Sequence, residues 1–308
     1  MNQRVCRLQG FGESLEPRFL FYGINAHLTA IQEVTGYTTV KHLSSNQILA
    51  IEMLIPPRGE QQRIVAILDH AFAAIATGTV NAEQNLRNAQ ELAQSRIDSV
   101  FAQGRQTWAE SPLERVADIV NGYAFKSTDF GAVPGIKSIK ITNVGVRQFV
   151  ADAGNDLPAH FDHDYAGSSA RAGSIVLALT RTIIAGGLKV AVVPQAYDGA
   201  LVNQRVAAIT PHAAMLSTPF LFLFLSTQRV AQYVKDRVNT LMQPNLSIAD
   251  LRALSVPIPA LSVQHALMKQ LAEFQDQALR LERVYQRKLA ALDDLKKSLL
   301  HQAFTGAL

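Results

Sequence analysis

Cysteine is almost absent. Cys6 is the only one in 308 residues, which excludes an intrachain disulfide and a cysteine-ligated zinc site and fits a reducing, cytoplasmic setting. Uninterrupted apolar runs are short: Phe220 to Leu225 is among the longest, far below the roughly 20 residues of a membrane span. No basic, apolar and small-residue leader opens the chain, so neither membrane insertion nor secretion is expected. Catalytic signatures are missing too. There is no G-x-x-x-x-G-K-[ST] phosphate loop and no G-x-S-x-G nucleophile elbow. Pro56-Pro57 follows Ile55 and precedes Arg58, which is not the Asp/Asn-Pro-Pro-aromatic segment of amino-methyltransferases. Gly186-Gly187 stands too much alone for a dinucleotide fingerprint. The eight histidines do not cluster; His160 and His163, beside Asp162 and Asp164, read as a polar surface loop before they read as metal ligands. No catalytic residue, metal site or bound cofactor is therefore assigned, and the chain is expected to be a non-enzymatic binding protein or scaffold.

What is present is a good supply of core-forming residues and a mild positive charge. A hydrophobic content of 48% over 308 residues supports one or two globular cores. The net charge of +4 and pI near 9.2 favour an anionic partner only weakly.

The strongest pattern is an internal repeat. Pro56 to Phe101 returns at Pro259 to Phe304, with a constant displacement of 203 positions that pairs Ile55 with Ile258, Gln61 with Gln264, Leu68 with Leu271 and Phe101 with Phe304. Upstream the displacement is 201: Asn2-Gln3-Arg4-Val5 matches Asn203-Gln204-Arg205-Val206, and Phe19-Leu20-Phe21 matches Phe220-Leu221-Phe222. Each repeated stretch predicts one long helix, a rod of about 60 Å at 1.5 Å per residue. In the second copy two rows recur every seven residues, Leu267, Phe274, Leu281 and Leu295 in one, and Leu271, Ala278, Tyr285, Leu292 and Leu299 in the other. That is the seam of a helix packed along its length on another helix. The first copy places Ile64, Leu68, Ala71, Ile75, Ala82, Ala89 and Leu92 at equivalent positions, smaller where the second is bulky, so the natural partner of each rod is the other. The predicted interface is Ile64, Leu68, Ile75 and Leu92 against Leu267, Leu271, Phe274, Leu281, Leu292 and Leu299.

The fold class expected is α+β. Residues 1–55 read as the C-terminal remnant of a first mixed domain, with a strand over Asn2 to Leu8, a helix over Pro17 to Val34, a Gly36 turn matched by Asn239, a short helix capped by Ser44 or Ser45, and a strand over Ile51 to Ile55. Residues 56–105 form the first long helix, stopped by Gly104 and Pro112. Residues 106–258 form one complete β-rich domain, and 259–308 the second long helix. Within the β-rich domain, strands are expected over Ile136 to Val144, Ile175 to Leu179, Lys189 to Val193, Leu201 to Ile209 and Ser255 to Pro259. A helix is expected over Phe220 to Asp236, and a capping box at Ser247 to Asp250.

Three segments carry a family resemblance. Ile55-Pro56-Pro57-Arg58-Gly59-Glu60-Gln61-Gln62-Arg63-Ile64-Val65 resembles the proline-then-"EQQRIV" opening of the helices in type I restriction-modification specificity subunits. Asn121-Gly122-Tyr123-Ala124-Phe125-Lys126-Ser127 is similar to the start of one of their target recognition domains, and Asn203-Gln204-Arg205-Val206 to a later strand. The ending Leu299 to Leu308, with Phe304-Thr305-Gly306, is also similar to theirs. The resemblance implies a DNA-binding subunit in which two target recognition domains, held apart by an antiparallel helix pair, each read one half of a split site. Methyltransferase subunits would dock along the helices, bringing S-adenosylmethionine and adenine methylation, and motor-endonuclease subunits would add restriction. With one complete recognition domain, two copies could form a homodimer through the long helices. The alternative is a coiled-coil adaptor or decoy that binds methyltransferase subunits without reading DNA.

Phosphate and base-edge contacts come from Lys, Arg, Asn and Gln. The candidates on loops and polar strand faces are Lys126, Lys137, Lys140, Asn143, Arg147, Thr180, Arg181, Lys189, Gln204, Gln243 and Asn245. Arg205, matched by Arg4, is read as structural.

Overall fold

Two long helices set the architecture. The computed structural model describes residues 6–34, 45–131, 135–152, 154–184, 186–237 and 245–308. Gly36, Asn239, Ser44, Gln243 and most of the strand expected from Asn2 lie outside these. The helices are α1 (Pro17–Val34), α2 (Ser45–Leu49), α3 (Arg58–Gly104), α4 (Phe161–Asp164), α5 (Thr218–Leu225), α6 (Gln228–Arg237), α7 (Ile248–Arg252) and α8 (Leu261–Thr305). The chain forms two compact units, Met1–Ala89 with Leu279–Leu308, and Gln90–Ala278. Each unit thus holds the beginning of one long helix and the end of the other, so the division falls inside the helices.

In the first unit, Phe19 of α1 is buried with Ile64, Val65 and Leu68 from the start of α3 and Ala303 from the end of α8. Gly78 lies beside Leu292, where an added Cβ would sit 3.4 Å from a leucine methyl. Small against large is the packing the sequence pattern predicts. In the second unit Ile97, Val100 and Phe101 at the end of α3 share a core with Leu271 near the start of α8, flanked by Leu267 and Met268. In both units the helix ends run antiparallel.

The seam differs in detail from the predicted rows. On α8, Leu271 is buried and Phe274, Ala278, Tyr285, Leu292 and Leu299 are half-buried, but Leu281 is 41% exposed and Leu295 47%. The second inward row is Met268, Gln275, Glu282 and Leu289, all half-buried, with the buried Ala303, one position on from the predicted one. On α3, Ile64, Leu68, Ile75, Ala82 and Ala89 are buried while Leu92 is 58% exposed. Leu92 and Leu281 are therefore corrected to outward-facing positions. Heptad spacing fixes the period but not the face: the row that turns inward carries Gln275 and Glu282, which apolar spacing does not mark. A stretch within α3 is also apolar enough, by length and composition, to cross a membrane, contrary to the expectation from unbroken runs, and 22% of that stretch is buried inside the protein.

The second unit carries the sheets. Its strands are β1 (Glu110–Pro112), β2 (Ala117–Asn121), β3 (Gly135–Ile136), β4 (Ser138–Ile139), β5 (Leu157–Pro158), β6 (Ser169–Ala170), β7 (Ile175–Ala178), β8 (Ile183–Ile184), β9 (Gly187–Leu188), β10 (Val190–Val192), β11 (Ala200–Val202), β12 (Val206–Pro211) and β13 (Ser255–Pro257). The main sheet has the order β10-β7-β12-β2 and is antiparallel throughout. A smaller sheet runs β4-β11-β6, and β1 pairs with β13. Strand β7 is buried on both faces, and Ile175, Leu177, Ala207 and Ile209 pack towards α5 residues Phe220, Leu221 and Phe224.

Three expected elements break where side chains compete with the backbone. The strand expected over Ile136 to Val144 stops at Ile139, because the Lys140 N–H donates to Asn143 Oδ1 at 2.8 Å and the Asn143 N–H to Lys140 O at 2.9 Å, closing a turn. The strand expected over Leu201 to Ile209 divides at Asn203–Arg205 into β11 and β12, which belong to different sheets. The helix expected over Phe220 to Asp236 divides at Ser226 and Thr227, where both hydroxyls bond back to α5 carbonyls. Ile51 to Ile55 forms no strand pair among the described residues.

The repeat is visible as matched contacts. Gln61 is buried; its Oε1 accepts the Glu16 N–H at 2.8 Å, and its Nε2 donates to Ser14 O at 2.8 Å and Pro56 O at 2.7 Å. Gln264 does the same in the second unit with Ser217 N–H at 2.9 Å, Met215 O at 2.8 Å and Pro259 O at 2.8 Å. Phe19 meets Phe304 at 4.9 Å between ring centres, and Phe220 meets Phe101 at 5.1 Å.

Candidate nucleic-acid interface

One end of the main sheet gathers most of the polar candidates. Antiparallel register sets the end of β2 at Asn121 beside Ala207, the end of β7 at Ala178 beside Val206, and the start of β10 at Val190 beside Leu177. The smaller sheet finishes at this same end, since the Asn203 N–H donates to Ile139 O at 3.0 Å and Tyr123 bridges to Asn203. Further backbone bonds tie the loops together. The Gln204 N–H donates to Tyr123 O at 2.9 Å, the Leu179 N–H to Arg205 O at 2.8 Å, and the Leu246 N–H to Leu179 O at 2.8 Å. Gly122 permits this closeness, because a Cβ there would lie 2.1 Å from Asn203 O.

The loops present Thr180, Arg181, Lys140, Lys189, Gln204 and Asn245. Thr180, expected as a surface contact, is instead buried at 8% exposure, its backbone bridging to Asn245. Arg181 is exposed and holds a left-handed backbone, φ 48°, a strained choice for a residue with a Cβ. The Lys189 N–H donates to Thr182 O at 2.8 Å and its Nζ to Ile141 O at 2.7 Å. Lys140 Nζ donates to Asn155 Oδ1 at 2.7 Å and stands 3.5 Å from the Phe130 ring centre. Burial lowers the pKa of both amines; for Lys189 the neighbouring Arg181 charge adds to the lowering, and for Lys140 the Asp152 charge opposes it. Both ammonium groups are held by fixed partners, whereas Arg181 and Gln204 extend into solvent.

The remaining candidates lie elsewhere. Lys126 is exposed in the turn after Tyr123, its N–H donating to Asp129 Oδ2 at 2.9 Å. Lys137 lies at the opposite end of β4, 4.6 Å over the Tyr197 ring. Asn143 is wholly buried, its Oδ1 accepting the Lys140 N–H and its Nδ2 donating to Val150 O at 2.8 Å. Arg147 is drawn to α3: its Nη2 donates to Gln94 Oε1 and to Ser226 O at 3.3 Å. Gln243 is outside the described residues.

Sequence reasoning passed over an aromatic pair at this end. Tyr123 is 46% exposed and its ring lies 4.5 Å from that of Tyr165. A hydrogen bond with Tyr123 is the main cause that raises the Tyr165 hydroxyl pKa. Nothing in the separation of these two residues signals the pairing, which depends on the closure of β2 onto β11. Arg205, read as structural, presents its exposed side chain here while its carbonyl closes the loop.

A β-rich domain with loops tied at one sheet end, mounted on paired long helices, defines a class of recognition protein, and comparison with known sequences gives the family. The model of the type I restriction modification DNA specificity domain matches residues 1–85 and 105–289, and the chain belongs to that family. It is 24% identical to the type I restriction enzyme MjaVIII specificity subunit of Methanocaldococcus jannaschii over all of this chain and 74% of that protein. To the EcoBI specificity subunit of Escherichia coli it is 22% identical, over all of this chain and 69% of that protein. Among solved structures, a chain from work on complex assembly and conformational transition of the type I R-M system superposes with a TM-score of 0.76 at 22% identity, covering 96% of this chain and 73% of that one. The HsdS subunit from Thermoanaerobacter tengcongensis gives 0.56 at 20% identity, covering 96% and 72%. The chain is a type I restriction-modification specificity subunit of α+β fold.

Proposed function

We propose that this subunit reads double-stranded DNA with the loop end of the main sheet and directs adenine methylation, and restriction, to a split site. The observation that supports this best is the convergence of Lys140, Lys189, Arg181, Gln204 and Asn245 from five separate segments onto one sheet end, beside the exposed Tyr123. Fixed lysines suit phosphate contact, which positions a duplex without reading it; the solvent-facing Arg181, Gln204 and Asn245 suit base edges. The subunit contributes no catalytic group in this reading. Methyltransferase subunits supply S-adenosylmethionine and the transfer, and motor-endonuclease subunits the cleavage. Leu281, Val284 and Leu295 are exposed apolar residues on one face of α8, a surface suited to docking such partners or a second copy of the chain in a homodimer.

The test is duplex binding and methylation mapping by the subunit assembled with its methyltransferase. Arg181→Ala is expected to relax base preference at one position, at a cost of about 1–3 kcal/mol in discrimination. Lys189→Ala is expected to weaken all sequences alike and to reduce the slope of log affinity against log salt by about 1. Duplex binding without sequence preference, unaffected by either change, would instead identify a non-reading adaptor.

A further inference from the structure

Among the described residues of the second unit, Tyr123 is the one aromatic that is exposed, and it stands at the loop end of the main sheet. The others are buried or half-buried, including Phe125, Phe130, Phe161 and Tyr165 close to it. A tyrosine on a free loop would carry little meaning, since scattered surface apolar residues are common. This one is fixed. Its N–H donates to Val202 O at 2.9 Å and its carbonyl accepts the Gln204 N–H at 2.9 Å, so β11 and the turn after it hold the backbone on both sides.

The ring is braced as well. Its centre lies 4.5 Å from that of Tyr165 and 5.2 Å from that of Phe125, and a side-chain hydrogen bond joins Tyr123 to Tyr165. Phe125 in turn is buried with Leu157 and Leu201 and stacks on Phe161 at 5.9 Å. A ring held in this way loses little rotamer freedom on binding. What it can bind is another flat π-face. In a DNA duplex such faces are hidden inside the base stack, so a side chain reaches one only where the stack opens. Methylation of an adenine amino group demands that opening, because the base must leave the stack before an enzyme can act on it.

On the reading that this subunit guides adenine methylation, we propose that Tyr123 is a wedge. Its ring enters the base stack at the half-site bound by the second unit and stacks on the base left uncovered when the target adenine is extruded. Tyr165 and Phe125 are positioning residues that keep the ring raised. The wedge helps to open the site without reading base identity, since every base offers a π-face. Sequence choice stays with neighbours such as Gln204, whose backbone is tied to Tyr123.

The test uses the subunit assembled with its methyltransferase and a duplex carrying the mapped site. For binding, 2-aminopurine replaces the target adenine, a base that fluoresces weakly in the stack and strongly outside it. The unaltered complex is expected to raise the emission on binding. Tyr123→Ala should lose most of that rise and slow methylation of the unmodified site by about tenfold; Tyr123→Phe, which keeps the ring, should restore both. A mismatch opposite the target adenine lowers the cost of extrusion and should bring methylation by Tyr123→Ala back towards that of the unaltered complex. Unchanged emission and methylation in Tyr123→Ala would overturn the wedge alone, and so would a loss that the mismatch does not relieve, which marks an ordinary contact or a structural role. An unaltered complex that binds duplexes without sequence preference would overturn the duplex-reading function, and the wedge with it.

Discussion

Gln61 and Gln264 show what one side chain does when it is buried and fully bonded. Each joins the loop before a short helix to the first turn of a long one, through two carbonyls and one N–H. Removing the amide strands all three backbone groups where water cannot replace it. Gln264→Ala is expected to destabilise the second unit by roughly 2–4 kcal/mol, measured by urea unfolding. Gln264→Glu should be at least as harmful at neutral pH, because a carboxylate would face the Met215 and Pro259 carbonyls. The identity of these residues was visible as a repeated letter in the sequence. Their partners were not, since Ser14, Glu16, Met215 and Ser217 lie more than 40 residues away. The same limit governs the binding site. Lys140, Lys189, Arg181 and Gln204 were legible as residue types suited to DNA, but only strand register decides that they share one sheet end while Arg147 is tied to α3.

At the scale of elements, glycine positions separate two kinds of helix contact. Gly78 faces Leu292 with room for a methyl group at ordinary contact distance, so Gly78→Ala gains helix propensity without a clash. It is expected to stabilise the first unit by about 0.5–1 kcal/mol, read as a shift in the unfolding midpoint. Gly104 ends α3 against Trp108, where a Cβ would fall 2.2 Å from the indole. Gly104→Ala should therefore destabilise, and the opposite signs of the two substitutions test the packing directly. Long helices were the most legible elements, because apolar spacing and Pro and Gly boundaries agree along more than 40 residues of each. Strands were less so. Asn143 and the Asn203–Arg205 turn interrupt runs that look continuous by alternation, because their hydrogen bonds reach outside the run.

At the scale of the whole molecule, the repeat sets up matched pairs of substitutions. Phe101 packs on Phe220 and Phe224 in one unit, and Phe304 on Phe19 in the other. Phe101→Ala and Phe304→Ala are each expected to cost about 3–5 kcal/mol locally, the first more because it is the more deeply buried. Hydrogen exchange should place the first loss in the second unit and the second loss in the first unit. Loss spread evenly over both for either change would mean that the two units do not open separately.

The division of each long helix between two cores has a topological corollary. Cutting the polypeptide near its midpoint would leave two pieces, the first owning the opening segments of both units and the second their closing segments. Neither piece could bury its aromatic residues alone, yet mixing them would restore both cores at once. Folding is therefore interleaved: the first-made half of the chain waits for the last-made helix before its own hydrophobic cluster is complete.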